Sequence, residues 1–149
     1  MLVELSIENL GIIENVRVSF DKGFTAFTGE TGAGKTMLVE AINLVVGRRA
    51  DASIIRDGAE EARVEARFIT NTASGEVETI LCRVLHREGR SRAYINDRMA
   101  TVASLAEIGD ELVDIHGQLA HQRLLSLATQ RNSLDQFGNV NTAELRTAR

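Results

Sequence analysis

The sequence predicts an α/β fold: a mixed central sheet with an antiparallel β subdomain and flanking helices. Three observations carry this. Apolar–polar alternation recurs at residues 3–8, 16–20 and 63–68, the period of half-buried strands. A glycine-rich segment at 29–34 separates an apolar, β-favouring run from a stretch with helical periodicity. The 149 residues, 44% hydrophobic and 26% charged, suit one ordinary soluble domain and exclude disorder, collagen and coiled coil as descriptions of the whole.

Val3, Leu5 and Ile7 alternate with Glu4, Ser6 and Glu8, and Val16, Val18 and Phe20 alternate with Arg17 and Ser19 across a bend at 9–11, which reads as a strand pair with one wet face. After the turn Asp21-Lys22-Gly23, residues 24–28 (Phe-Thr-Ala-Phe-Thr) read as a central strand covered on both faces. From Thr36 the polar positions Thr36, Glu40, Asn43 and Gly47 form a narrow stripe, and Met37, Leu38, Ala41, Ile42, Leu44, Val45 and Val46 fill the rest. That pattern predicts a largely buried helix stopped by Gly47. Val64, Ala66 and Phe68 alternate with Arg63, Glu65 and Arg67, and a second β run over 76–86 turns at 88–91 into Arg92-Ala93-Tyr94-Ile95, an antiparallel sheet with a hairpin. Val102, Leu105, Ile108 and Leu112 have helical spacing behind a Thr101 cap, and 112–115 then reads as a short buried strand. Leu127, Leu134 and Phe137 predict a further helix ending at Gly138.

The formal net charge of -4 argues against wholesale attraction to nucleic acid and leaves room for a local basic patch. Glu4 and Glu8 stand where a secretory signal needs a basic start and an apolar stretch, and no apolar run reaches the length of a membrane span, so a cytoplasmic protein without membrane contact is expected. The single cysteine, Cys82, excludes an intrachain disulfide and reads as a small buried hydrophobe.

The chemistry concentrates in Gly29-Glu30-Thr31-Gly32-Ala33-Gly34-Lys35-Thr36, which fits the phosphate-loop pattern G-x-x-x-x-G-K-[ST] at every required position. Glycines let the backbone curl so that successive N–H groups and a helix N-terminus face an anion. Lys35 would reach the β- and γ-phosphates of a nucleotide, and the Thr36 hydroxyl would ligate Mg²⁺. The alternative is a glycine-rich turn with no ligand; the strand-loop-helix setting argues against it.

With this loop in place the chain resembles the N-terminal part of the RecN family, bacterial DNA repair proteins of the SMC-like branch of ABC-type ATPases. The resemblance rests on Leu5-Ser6-Ile7-Glu8-Asn9-Leu10, on Phe27-Thr28 leading into the phosphate loop, and on Gly47-Arg48-Arg49-Ala50 followed by Ile55-Arg56-Asp57-Gly58. It continues through the hairpin 87–96 and Asp114-Ile115-His116-Gly117-Gln118. Glu30-Thr31, where most SMC relatives carry Pro-Asn, points to this family; Thr36 departs from its commoner Ser but keeps the hydroxyl. The resemblance implies a phosphate-loop NTPase of ABC type, with residues 1–138 as the N-terminal lobe of an ATPase head and 139–149 as a linker or the start of a coiled-coil helix. It implies ATP and Mg²⁺ as cofactors, and Lys35 and Gln118 as catalytic, Gln118 touching Mg²⁺ and holding the attacking water. It also implies work on DNA double-strand-break repair and recombination in the bacterial cytoplasm, in association with the nucleoid. The family's Asp-Glu strand end and Leu-Ser-Gly-Gly type signature do not occur in these residues. The expected partners are therefore the C-terminal half of the same head, a second head in an ATP sandwich, and DNA, with hydrolysis requiring the first two.

Taken without the resemblance, Gln118 reads as a solvated loop residue, and His116 and His121 lack the companions of a metal site. Arg83, Arg87, Arg90, Arg92 and Arg98 cluster in or beside the hairpin, either as DNA phosphate contacts or as charges that keep a strand edge from aggregating. Arg56 is either a nucleotide- or DNA-reaching arginine or a structural ion-pair partner. Three rivals remain. An ABC transporter subunit would place its glutamine closer to the phosphate loop than the 83 positions separating Lys35 from Gln118. A phosphate-loop kinase or GTPase would show an Arg-rich lid or an Asn-Lys-x-Asp motif, and a non-catalytic module would bind ATP only to control dimerisation.

Overall fold

The structure is a computed structural model describing residues 1–29, 33–72, 75–113, 115, 130, 131, 134, 137 and 138. It divides into two units, Met1–Val113 and Asp114–Arg149. In the first, six strands form one sheet in the order β2-β1-β3-β4-β5-β6: β1 Leu2–Leu10, β2 Ile13–Ser19, β3 Glu61–Thr72, β4 Gly75–His86, β5 Ser91–Ile95 and β6 Arg98–Ala100. Every ladder among the described residues is antiparallel.

The register follows the alternation in the sequence. Ile7 lies opposite Val16 on β2 and Val64 on β3, Leu5 opposite Ala66, and Ala66 in turn opposite Leu81. Leu5, Ile7, Val64, Ala66, Phe68, Leu81 and Ala93 therefore share one face, and all are buried. α1 (Ala33–Val45) packs on β1, β3 and β4, and α2 (Val102–Leu112) on β5. The opposite face carries the expected charges, with ion pairs Arg63–Glu65 at 2.7 Å, Arg67–Glu78 at 2.9 Å and Arg17–Glu4 at 3.8 Å. Solvated pairs of this kind are worth about 0–1 kcal/mol each, so burial on the helix side decides the fold.

The caps behave as read. Thr101 accepts from the Ser104 N–H at 3.0 Å and opens α2. Gly47, at φ 80°, closes α1: its N–H donates to the Leu44 carbonyl, and the Arg48 N–H to the Asn43 carbonyl at 2.9 Å, a Schellman ending. α1 is less enclosed than its sequence suggested. Ala41, Leu44 and Val45 are buried, but Val39 is 49% exposed. In the second unit Gln130, Arg131, Leu134 and Phe137 are helical, and the Gly138 N–H donates to the Leu134 carbonyl at 2.9 Å, as expected for a helix ending at Gly138; Leu127 lies outside the described residues.

Two expected strands are corrected. Residues 24–28 join no ladder: the last rung before them is the Phe20 N–H on the Val3 carbonyl at 3.0 Å, and Phe24 is 93% exposed. Phe27 keeps an edge-to-face contact with Phe20, ring centroids 6.1 Å apart. Apolar composition says that a run suits a covered position, but a strand exists only through a hydrogen-bonded neighbour, and none among the described residues runs beside this one. At 112–115, Leu112 instead completes α2, and the Val113 N–H closes the helix on the Gly109 carbonyl at 3.0 Å; Asp114 lies outside the described residues.

Cys82 is 4% exposed, as its reading as a buried hydrophobe required. Burial pushes its thiol up from 9.0 to about 11. The thiol of the unfolded chain ionises first as pH rises, so the contribution of this group is intact below about pH 9 and is lost toward pH 11. Denaturant titrations at about pH 8 and about pH 10.5 are expected to show a fall in stability that Cys82→Ala makes smaller. An equal fall in both proteins would mean that other groups account for all of it.

Candidate nucleotide-binding site

Of the phosphate-loop residues, Ala33 to Thr36 open α1 and Gly29 precedes it. Gly29 adopts φ 155°, a conformation that side-chain-bearing residues rarely take, and nothing lies within 4 Å of where its Cβ would be. Glu30, Thr31 and Gly32 lie outside the described residues, and the helix opens at Ala33. Gly34, Lys35 and Thr36 form its first turn with Ala33, and that turn contains no acidic residue, so the positive end of the helix dipole is not neutralised from within. The Lys35 ammonium donates to the Gly29 carbonyl, tying the two ends of the loop together. Thr36 is exposed.

What fixes this turn lies elsewhere in the chain. Gly11, at φ 54° in the β1–β2 turn, approaches Met37 so closely that a Cβ on it would sit 2.3 Å from the Met37 Sδ. At the other end of α1, a Cβ on Gly47 would lie 2.6 Å from the Ala106 backbone nitrogen, and one on Gly109 would lie 2.7 Å from the Val46 Cβ. The Arg48–Asp110 ion pair, 2.8 Å, joins the same two helices. The sequence marked 9–11 as a bend and Gly47 as a helix stop; it gave no sign of the Met37 and α2 contacts, because these pair residues far apart in the chain.

The structure brings Gly29, Gly34, Lys35 and Thr36 together. Gln118, His116 and His121 lie outside the described residues. Among the described residues no group of three or more His, Cys, Asp or Glu side chains could hold a metal. The exposed Thr36 hydroxyl nonetheless fits Mg²⁺, which is commonly held by few protein oxygens with phosphate oxygens and water completing the shell. No helix among the described residues is long and apolar enough to cross a membrane.

The arginines do not form one surface. Arg83 is 5% exposed on the helix side of the sheet, opposite Val64 and Ala93, with its Nε donating to the Ser91 Oγ at 2.5 Å, and burial lowers its pKa. Arg87 donates from Nε to the Ala59 carbonyl at 2.9 Å and from Nη2 to the Arg56 carbonyl at 2.8 Å. Arg90 pairs with Glu88. Arg92 and Arg98 are exposed, but Arg98 faces Ile95 on the helix side whereas Arg92 faces Val84 on the other. Arg56 makes contacts within the chain: its Nη1 donates to the Ile12 carbonyl at 2.8 Å, and its Nη2 lies 3.7 Å from the Glu14 carboxylate.

Residues 4–143 match the family described as AAA domain, and the chain belongs to that family. Within curated proteins it is 42% identical over 146 residues to the DNA repair protein RecN of Streptomyces coelicolor, covering 89% of this chain and 26% of that protein. It is 43% identical over 150 residues to the DNA repair protein RecN of Halalkalibacterium halodurans, covering 92% and 26%. The chain thus spans about a quarter of the length of these relatives. Among solved structures, a chain from a study of ATP-driven dimerisation and DNA-stimulated activation of SMC ATPases superimposes with a TM-score of 0.67 at 24% identity, covering 91% of this chain and 98% of that one. That likeness supports the fold, and the RecN relatives bear out the resemblance drawn from the motifs.

Proposed function

We propose that the chain is the ATP-binding lobe, residues 1–138, of a RecN-like ATPase head that acts in DNA double-strand-break repair in the bacterial cytoplasm, in association with the nucleoid. The observation that carries this is the acid-free first turn of α1 with Lys35 reaching back to Gly29. Phosphate oxygens entering the loop replace the Gly29 carbonyl at the Lys35 ammonium, and N–H groups at the helix N-terminus donate to the remaining oxygens. The Thr36 hydroxyl would hold Mg²⁺, which would supply charge neutralisation at the β- and γ-phosphates. Gln118 suits a water-positioning role because a neutral amide both accepts from water and donates to phosphate.

Phosphoryl transfer depends on positioning and on stabilising charge around the γ-phosphate. Residues 1–149 hold no Asp-Glu strand end and no signature loop, so they bind nucleotide far better than they hydrolyse it. The remaining half of the head and a second head complete the site in an ATP sandwich, and DNA is a partner of that assembly. The test is turnover: slow or undetectable ATP hydrolysis by residues 1–149 alone, restored in a concentration-dependent way by the C-terminal head segment of the same protein. Equal rates with and without that segment, abolished by Lys35→Ala, would instead make this a self-contained phosphate-loop enzyme. Arg83 and Arg87 are engaged by contacts within the chain, which leaves Arg90, Arg92 and Arg98 as the exposed cations in or beside the hairpin.

A further inference from the structure

We infer that Arg87 is a positioning residue for the nucleotide loop, acting from the β4–β5 hairpin through the segment 56–59 and the β1–β2 turn onto the first turns of α1. The inference rests on the reading of Gly29 to Thr36 as an ATP site and adds a positioning residue outside that motif. Each link is a contact in the structure. The Arg87 guanidinium bridges two carbonyls of one loop, Ala59 at 2.9 Å and Arg56 at 2.8 Å, and the Arg87 N–H donates to the Glu60 carbonyl at 2.9 Å. Arg56 then holds the next segment from both sides of its own residue: its N–H donates to the Asn9 carbonyl at 2.9 Å and its Nη1 to the Ile12 carbonyl at 2.8 Å. The Gly11 N–H returns to the Ile54 carbonyl at 2.7 Å, and Leu10 bridges Ile55. The β1–β2 turn is thereby fixed on every side, and Gly11 within it is the residue against which Met37 packs, one position after Thr36.

A guanidinium suits this position because its planar fork satisfies two carbonyls that a single ammonium cannot reach in the same geometry. Removing the fork frees the 56–59 loop, loosens the Ile12 and Asn9 anchors, and leaves Met37 without a fixed surface. The first turns of α1 must then be ordered at the moment of phosphate binding, which weakens affinity without any lost contact to the ligand.

The chain has three methionines, Met1, Met37 and Met99, so the methyl NMR spectrum of the methionine-labelled protein carries one reporter at the end of this path and two away from it. Arg87→Ala is expected to move the Met37 resonance, leave those of Met1 and Met99 in place, and weaken ATP binding by about fivefold, the low end for coupling between linked sites. Arg87→Lys, which keeps the charge and loses the fork, is expected to act in the same direction and serves if the alanine variant does not fold. Arg92→Ala, a neighbouring exposed arginine, is expected to change neither readout. A folded Arg87 variant with the Met37 resonance and ATP affinity of the parent overturns the inference. A parent that fails to bind ATP, while Arg87→Ala still moves Met37, would overturn the nucleotide reading and leave the path standing.

Discussion

Lys35→Ala is expected to remove most of the affinity for ATP while leaving the circular dichroism spectrum unchanged. The lysine sits in the first turn of α1 and reaches the Gly29 carbonyl, so its loss takes away that contact at the loop and no part of the buried face formed by Ala41, Leu44 and Val45. In the complex the same ammonium meets phosphate, and a charge-assisted contact is worth about 1.5–3 kcal/mol, or roughly 10- to 150-fold in affinity. The stability cost is expected to be smaller because the lysine contact lies at a solvent-accessible site. Unchanged affinity by calorimetry, with a normal spectrum, would place the nucleotide elsewhere.

Gly47→Ala is expected to destabilise the first unit by about 2–4 kcal/mol, combining a left-handed backbone strained for any side chain with a clash against a helix. A Cβ at that position would lie 2.6 Å from the Ala106 nitrogen and 2.8 Å from its Cα, atoms of α2 that cannot rotate out of the way. The same substitution at Gly89, φ 83° with nothing within 4 Å of its Cβ, meets the strain alone and is expected to cost about 1–2 kcal/mol. The difference between the two melting temperatures therefore measures the close approach of the helices. Equal shifts would show that α1 and α2 do not meet at this glycine.

The contrast between these positions explains what was legible in the sequence. Strands β1 to β3 were readable because one face of each meets water and burial on the other imprints a period of two; β4 and β5 were readable as β-favouring runs joined by a turn, and residues 81–85 are buried on both faces. β6 escaped because it is three residues long, Arg98–Ala100, with Met99 80% exposed, and it follows a tight turn in which Asn96 and Asp97 both take positive φ. The helix start at the phosphate-loop motif was legible because its signal is local: spacing within eight residues encodes where the helix begins. The helix began at Ala33, ahead of the first periodic position Thr36, since the motif itself occupies the first turn. The arginines of the hairpin were misleading for the opposite reason. A sequence gives their density but not their direction, and alternation along β4 turns Arg83 inward while the Arg87 fork reaches back to carbonyls 28 and 31 positions away. Residues 24–28 showed the same gap, as apolarity records that a segment suits a covered position and is silent about what covers it.

The most direct test of the ATP-binding reading is an ATP titration of the ¹⁵N-labelled chain followed through its backbone amide resonances. The account predicts saturable shifts that are largest at Gly29 to Met37, where the loop N–H groups would turn to phosphate, and that are lost in Lys35→Ala. Shifts centred instead on the hairpin at 86–92, or a saturable response in Lys35→Ala equal to that of the parent, would contradict it.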